Sequence, residues 1–384
     1  MAVNTSTRLR PQRHGSGLDP LMQDLLERAD IRVNGDRPWD IQLHADNAPE
    51  RALAYGNLGL GEAYMDGDWD VEQLDEFFYR LLRSGIQEQF QPLRLIFHSL
   101  RARLLNLQSL RRARQVGEAH YDLGNDFYEA MLDRRMTYTS GYWRNADNLD
   151  DAQGAKLDLI CRKLALQSGM RVLDIGCGWG SFMEYAAEHY GVECVGLTIS
   201  QEQVRLGSER CQGLPVEFRF QDYRELDETF DRVVGIGILE HVGRKNHRTF
   251  METVHRCLSD DGLCMLHTIG KNKRVAAPDP WLDKYIFRNG DLPALVQISD
   301  AAEDLAVIED LHNFGADYDH TLMAWHRNFE AAWPRFRDRY GDRFYRMWRY
   351  YLLSCAGMFR ARQVQLWQLV LSKRGLVGGY RRVS

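Results

Sequence analysis

The sequence predicts an α/β fold: a parallel sheet with helices on both faces, joined to a smaller, mostly helical N-terminal domain. Three observations carry the prediction. From about residue 150 onward, short apolar runs alternate with amphipathic stretches, the mark of successive βαβ units. From about Asp19 to Arg114 the apolar spacing is helical and broken by short loops. The chain has 384 residues, 44% hydrophobic and 27% charged, which is room for two or three ordinary globular domains.

The elements follow in order. Residues 1–18 are polar and read as a disordered tail, and residues 19–114 as the small helical domain. Within it, residues 20–29 form an amphipathic helix, residues 30–44 a short strand-turn-strand with Asn34-Gly35 at the turn, and residues 57–68 a glycine-punctuated turn and helix. Residues 115–384 form the catalytic domain. Strands are expected at 170–176, 192–198, 215–220, 231–237 and 262–269, with helices at 179–190, 200–213 and 246–258. Beyond residue 315 the chain is helical and aromatic, and 363–371 reads as a last strand. From Trp281 to Trp367 there are 17 aromatic residues in 87. That excess suits helix packing, and it also suits the lining for a long apolar substrate.

Charge is distributed unevenly. The net charge is −5, and of the 49 basic residues 42 are Arg and 7 are Lys. Between Glu88 and Glu118 no acidic residue occurs, while Arg94, Arg101, Arg103, Arg111, Arg112 and Arg114 all do. Leu93, Ile96, Leu100, Leu104, Leu107 and Leu110 recur at helical spacing in the same window, so residues 93–114 read as a basic amphipathic helix. Such a helix either lies on an anionic membrane surface or packs its leucines on the neighbouring domain. No apolar run approaches the length of a membrane span, and residues 1–20 hold no apolar segment of a secretory signal. The seven cysteines show no CxxC spacing, which argues for a reducing compartment and against a structural metal site. A cytoplasmic protein without a nucleic-acid partner is expected.

Residues 171–180 read RVLDIGCGWG. Val172, Leu173 and Ile175 form an apolar strand; Asp174, Gly176, Gly178 and Gly180 follow at its carboxyl end, where a helix opens. The glycines permit a sharp turn and close backbone approach to a ligand. The loop is not G-x-G-x-x-G, and it lacks the Lys-Ser/Thr ending of a phosphate loop. An acid before the glycines suits a ligand with an amino-acid head and a nucleoside, which describes S-adenosylmethionine, with its ammonium toward Asp174. The sheet is therefore Rossmann-like. At the second strand, Thr198 and Gln203 stand where the ribose is expected, and Gln221 and Asp222 after the third strand face the adenine. Residues 234–243, VGIGILEHVG, run a strand directly into Glu240, a candidate acid, base or cation stabiliser at the ligand crevice. His267 sits in the apolar strand that follows. Glu240 and His267 end adjacent strands, so convergence is expected.

These segments carry a resemblance. EAHYDLGNDFY (118–128), LDIGCGWG (173–180), LTISQEQ (197–203), QDYREL (221–226), LEHVG (239–243), LHTIG (266–270), DPWLDKYIF (279–287), HNFGADYDHTLMAW (312–325) and FRARQVQLWQ (359–368) make the chain similar to the cyclopropane-fatty-acyl-phospholipid synthases, over nearly its whole length. The resemblance implies an S-adenosylmethionine methyltransferase sheet. It also implies transfer of a methylene group to the cis double bond of an unsaturated acyl chain in a membrane phospholipid, with bicarbonate as the bound base. By the same resemblance, Glu240, His267, Tyr318 and backbone donors near residue 140 would hold that anion. Tyr138, Thr139, Gly176, Thr198, Gln203, Gln221 and Asp222 would contact S-adenosylmethionine. Family members commonly carry Cys where this chain has Ser140. A backbone role at that position tolerates Ser, whereas a nucleophilic role does not. The implied partners are a transiently visited phospholipid bilayer and a second copy of the chain in a homodimer. The alternatives are another C-methylation of lipid chains, N-methylation of a small amine, or an inactive lipid-binding relative.

Overall fold

The computed structural model describes residues 20–85, 123–274 and 278–383. The tail 1–18 and the basic stretch expected to be helical over 93–114 lie outside the described residues.

The N-terminal elements are α1 (Pro20–Arg28), β1 (Gln42–Leu43), α2 (Ala48–Tyr55), α3 (Asn57–Asp66), β2 (Trp69–Asp70) and α4 (Leu74–Arg83). The expected strand-turn-strand over 30–44 is not a hairpin. Val33 and Ile41 make one isolated bridge, and β1 pairs instead with β2. The reason is Asp40, whose buried carboxylate accepts the Arg32 and Arg37 backbone N–H groups at 2.8 and 3.1 Å and the Arg37 guanidinium at 2.8 Å, folding the segment into a compact turn.

After α5 (Asn125–Met131) and α6 (Leu149–Lys163), the chain lays down β3 (Arg171–Ile175), α7 (Ser181–Tyr190), β4 (Glu193–Thr198), α8 (Gln201–Arg210), β5 (Val216–Phe220), β6 (Phe230–Ile236), α9 (Leu239–Val242), α10 (His247–Cys257) and β7 (Leu258–Lys271). Then come α11 (Pro280–Tyr285), α12 (Leu295–Ala302), β8 (Val307–Asn313), the aromatic helices α13 (Ala316–Ala332) and α14 (Arg337–Arg360), and β9 (Val364–Ser372). The predicted strands and helices of the sheet region are all present, with boundaries moved by a few residues. Strand β8 and helices α5, α6, α9, α11 and α12 are additions.

The seven strands stand in the order β5-β4-β3-β6-β7-β9-β8. The pairs from β5 to β7 are parallel, while β9 runs antiparallel to both its neighbours. Successive strands step outward one way from β3 and the other way from β6, so the switch point lies between them, where open α/β sheets bind ligands at the strand carboxyl ends. Every residue of β9 is buried, so apolar side chains dominate both of its faces, with Gln365, Gln368 and Ser372 as buried polar exceptions.

Helix α14 joins the N-terminal elements to the rest. The Phe78 ring meets Tyr350 edge-on at 5.2 Å, and Tyr64 packs on Tyr350 at 5.6 Å. At Gly357 a Cβ would stand 2.7 Å from the Asp75 carbonyl oxygen, so only glycine permits the close crossing of α14 over α4. Asn57 donates to the Asp279 carboxylate at 2.9 Å and accepts from the Tyr350 hydroxyl at 2.6 Å. This ties α3 to the cap of α11, where Asp279 accepts the Trp281 and Leu282 N–H groups.

Candidate active site

The glycine loop after β3 is built on left-handed backbone: φ is +82° at Gly176, +55° at Gly178 and +87° at Gly180. Gly176 and Cys177 donate their N–H groups to the Leu197 carbonyl at 2.9 and 3.1 Å, locking the loop onto the end of β4. Among the described residues, chain neighbours aside, no atom lies within 4 Å of the position a Gly178 Cβ would take, so the backbone there is open to a ligand. Beside it, the Thr198 hydroxyl donates to Gln203 Oε1 at 2.6 Å, and Ser200 caps α8 through the Gln203 N–H. Gln221 is aligned by its N–H to the Thr198 carbonyl at 3.1 Å. The Asp222 carboxylate is engaged by the Arg224 guanidinium at 2.6 Å. Asp174 is buried and its Oδ1 has no hydrogen-bond partner among the described residues. Burial pushes its carboxyl up, and Lys156 opposes that shift. An open glycine cradle beside a buried, unpartnered carboxylate oxygen fits S-adenosylmethionine.

Segment 137–140 comes up against the end of β6. A Cβ on Gly237, at the end of β6, would stand 3.1 Å from Thr139 Cγ2. Helix α6 holds the segment from below: Gln153 Nε2 donates to the Thr139 carbonyl at 2.7 Å and Lys156 Nζ to Thr139 Oγ1 at 3.0 Å. Lys156 is buried; burial pulls its amine down, while Asp133 and Asp174 pull it back. The Tyr138 hydroxyl donates to the Tyr351 hydroxyl at 3.0 Å. Ser140 is buried, and its Oγ is committed to the Gly141 carbonyl at 2.9 Å. Thr321 Oγ1 accepts from both Gly141 N–H and Trp143 Nε1, at 3.0 and 2.8 Å.

Glu240 enters on α9, directly beyond β6. Its Oε1 accepts the Ile269 N–H at 2.6 Å, and its own carbonyl accepts from Asp291 N–H at 2.8 Å. Its Oε2 is buried without a partner among the described residues. Burial pushes the carboxyl up to about 7, so protonated and ionised forms are both accessible near neutrality. Tyr318, on the first turn of α13, is buried. Its phenol is held protonated by burial and by the nearby Glu240, which brings these two predicted residues together. The Tyr318 ring stacks on Phe359 at 4.6 Å and meets Trp325 edge-on at 5.9 Å. Tyr138 also packs on Trp325, at 5.2 Å, and the result is an apolar, aromatic wall.

His267 is buried, and no hydrogen bond joins it to Glu240 among the described residues. The Glu240 carboxylate passes His267 and takes the backbone of Ile269, two residues further along β7. His267 is held from the other side, by Gln368 of β9 at 3.3 Å, and its Nε2 has no partner among the described residues. The two side chains thus present free atoms rather than contacting each other. Gln153, Lys156, Thr321, Gln368 and the Ile269 N–H, which all support the site, escaped the sequence reading. The one available signal was a run of polar residues in α6 at positions that prove to be buried.

Comparison with known proteins accords with this geometry. A family model described as mycolic acid cyclopropane synthetase matches residues 108–369. The cyclopropane-fatty-acyl-phospholipid synthase of Escherichia coli strain K12 is 52% identical over 362 residues, spanning 94% of each chain. A probable fatty acid methyltransferase of Pseudomonas putida is 36% identical, covering 66% of this chain and 68% of that one. Among solved structures, mycolic acid cyclopropane synthase CmaA1 complexed with SAH and CTAB aligns with a TM-score of 0.64 at 31% identity, covering 68% of this chain and 98% of that one. The glycine loop at the switch point, the Glu240–Tyr318 pair and the match over most of its length place this chain in the mycolic acid cyclopropane synthetase family.

Proposed function

We propose that this chain adds a methylene group from S-adenosylmethionine across the cis double bond of an unsaturated acyl chain in a membrane phospholipid, closing a cyclopropane ring. The observation that carries the reading is Glu240 with Tyr318, buried among aromatic rings beside an open glycine loop. The similarity to the E. coli synthase over 94% of the chain supports the same substrate class.

S-adenosylmethionine supplies an activated methyl group on a sulfonium. Gly176 and Gly178 offer their backbone to it, Asp174 its carboxylate to the ammonium, the Thr198–Gln203 pair its polar atoms to the ribose, and Gln221 and Asp222 theirs to the adenine. Tyr138 and Thr139 cover the loop. An alkene is a weak nucleophile, and its reaction with a methyl group leaves positive charge on the chain. The rings of Tyr138, Tyr318 and Trp325 stabilise that charge through their faces and keep out the water that would trap it. Ring closure then needs a proton removed from the new methyl group. Bicarbonate, when bound, supplies the base. The residues fit such an anion: Glu240 Oε2 and His267 Nε2 are buried and unpartnered, and Tyr318 keeps its proton to donate. Ser140 contributes its backbone, because its hydroxyl is occupied by Gly141.

The test is incubation of the purified chain with methyl-labelled S-adenosylmethionine and vesicles of cis-unsaturated phospholipid. The expected product gains one CH2 per double bond and shows the shielded proton resonances of a cyclopropane ring. A second reading, C-methylation without ring closure, is supported by the Pseudomonas relative, and it predicts the same carbon gain with vinylic protons retained. Absence of label from every lipid would refute both.

A further inference from the structure

Three adjacent strands place His267, Gln368 and His312 at one level: Gln368 on β9 is the register partner of His267 on β7 and of His312 on β8. Directly opposed residues of antiparallel strands share a face, so the three side chains form a polar row across an otherwise apolar sheet. Beyond His312 stands Lys163 of α6, fully buried, with Nζ 3.1 Å from His312 Nδ1. At the other end, Gln368 Nε2 lies 3.3 Å from His267 Nδ1.

The donor and acceptor inventory gives this row a direction. An ammonium only donates, so His312 accepts at Nδ1 and carries its own proton on Nε2. The Gln368 amide nitrogen also only donates, so His267 accepts at Nδ1. Burial and the charges of Lys156 and Lys163 keep His267 neutral; a neutral imidazole that accepts at one nitrogen holds its proton on the other. Gln368 Oε1 is buried and has no hydrogen-bond partner among the described residues. We infer that Gln368 is a positioning residue that fixes His267 in the Nε2–H tautomer through its amide contact with Nδ1, so that the buried site presents this ring as a hydrogen-bond donor to an anion and not as a base. The inference rests on the reading that an anion binds beside Glu240 and Tyr318, and it adds the device that determines what His267 does there.

The test is ¹⁵N NMR of the full chain labelled at histidine, with the His267 signals assigned by their loss in His267→Asn. Protonated and bare ring nitrogens resonate far apart. The expected spectrum shows Nε2 protonated and Nδ1 bare and hydrogen-bonded. In Gln368→Glu a carboxylate replaces the donor, the proton shifts to Nδ1, and vesicle activity falls on the order of 10²-fold, with a raised KM for added bicarbonate and unchanged affinity for S-adenosylmethionine. Gln368→Met, which keeps the volume without the amide, serves if the Glu variant does not fold: its His267 Nδ1 signal is expected to lose the hydrogen-bond shift. A protonated Nδ1 in the wild type would overturn the inference. So would a Gln368→Glu protein that keeps the wild-type tautomer, or one that loses S-adenosylmethionine affinity by the same factor as activity. These outcomes are independent of product identity, so a failure of the cyclopropanation reading is seen separately, in the lipid assay.

Discussion

At the scale of single residues, Glu240 and Ser140 make opposite predictions. Glu240 is buried with one oxygen unpartnered, and its carboxyl is pushed from 4.5 to about 7 by burial. Between those values the folded state keeps a proton that the unfolded chain has released, so this group's contribution to stability declines as pH rises through the window. Above it, the ionised carboxylate costs the fold at most about 3 kcal/mol. Glu240→Gln removes that cost and keeps an acceptor for the Ile269 N–H. The variant should gain stability over the wild type as pH rises from about 4.5 to 7, read by urea denaturation, while activity drops by at least about 10²-fold. Parallel stability profiles for the two proteins would contradict the assignment. Ser140→Ala loses a hydroxyl that donates to the Gly141 carbonyl at 2.9 Å and lies 3.5 Å from Thr321 Oγ1. The expected cost is about 1 kcal/mol with activity within a few-fold of wild type, and near-complete inactivation would revive a nucleophilic role.

At the scale of elements, the glycine loop gives the cleanest experiment. A methyl group on Gly178 meets no atom of the described residues, chain neighbours aside, within 4 Å and asks Ala to adopt φ +55°, costing roughly 1–2 kcal/mol. Gly178→Ala should therefore fold yet bind S-adenosylmethionine at least ~10-fold more weakly by calorimetry, since the methyl occupies ligand space; equal affinity would remove the loop from the cofactor site. The loop was legible because strand, acid, glycines and helix are contiguous, and β9 because it is buried on both faces. Strand β8 was not, since as an edge strand it exposes Val307 and Ile308 and mixes acids with apolar residues. Helix α6 hid for the reverse reason. It buries Gln153, Lys156 and Lys163, and polar residues on the inner face erase the apolar period. The same fact concealed the supports of the site: Gln153, Lys156, Thr321 and Gln368 act through contacts with segments far away in sequence, which no local pattern records.

At the scale of the whole molecule, a net charge of −5 disfavours approach to an anionic bilayer at long range, and the acid-free stretch 89–117 is the segment whose charge favours it. No helix among the described residues is long and apolar enough to cross a membrane; the proposed substrate therefore calls for docking at the bilayer surface. Replacing Arg111, Arg112 and Arg114 together by Glu should weaken binding to anionic vesicles in sedimentation, by about 1 kcal/mol or more per residue, and spare binding of S-adenosylmethionine; unchanged vesicle affinity would move the docking face elsewhere. The position of β9 has a different consequence, in the birth of the protein. Chains fold from the N-terminus as they leave the ribosome, but β7 lacks one neighbour and β8 has none until residues 364–372 have been made. The nascent sheet therefore waits with an open edge, a template for unwanted pairing. Both edges close in one step, once residues 364–372 have been made and β9 enters between β7 and β8.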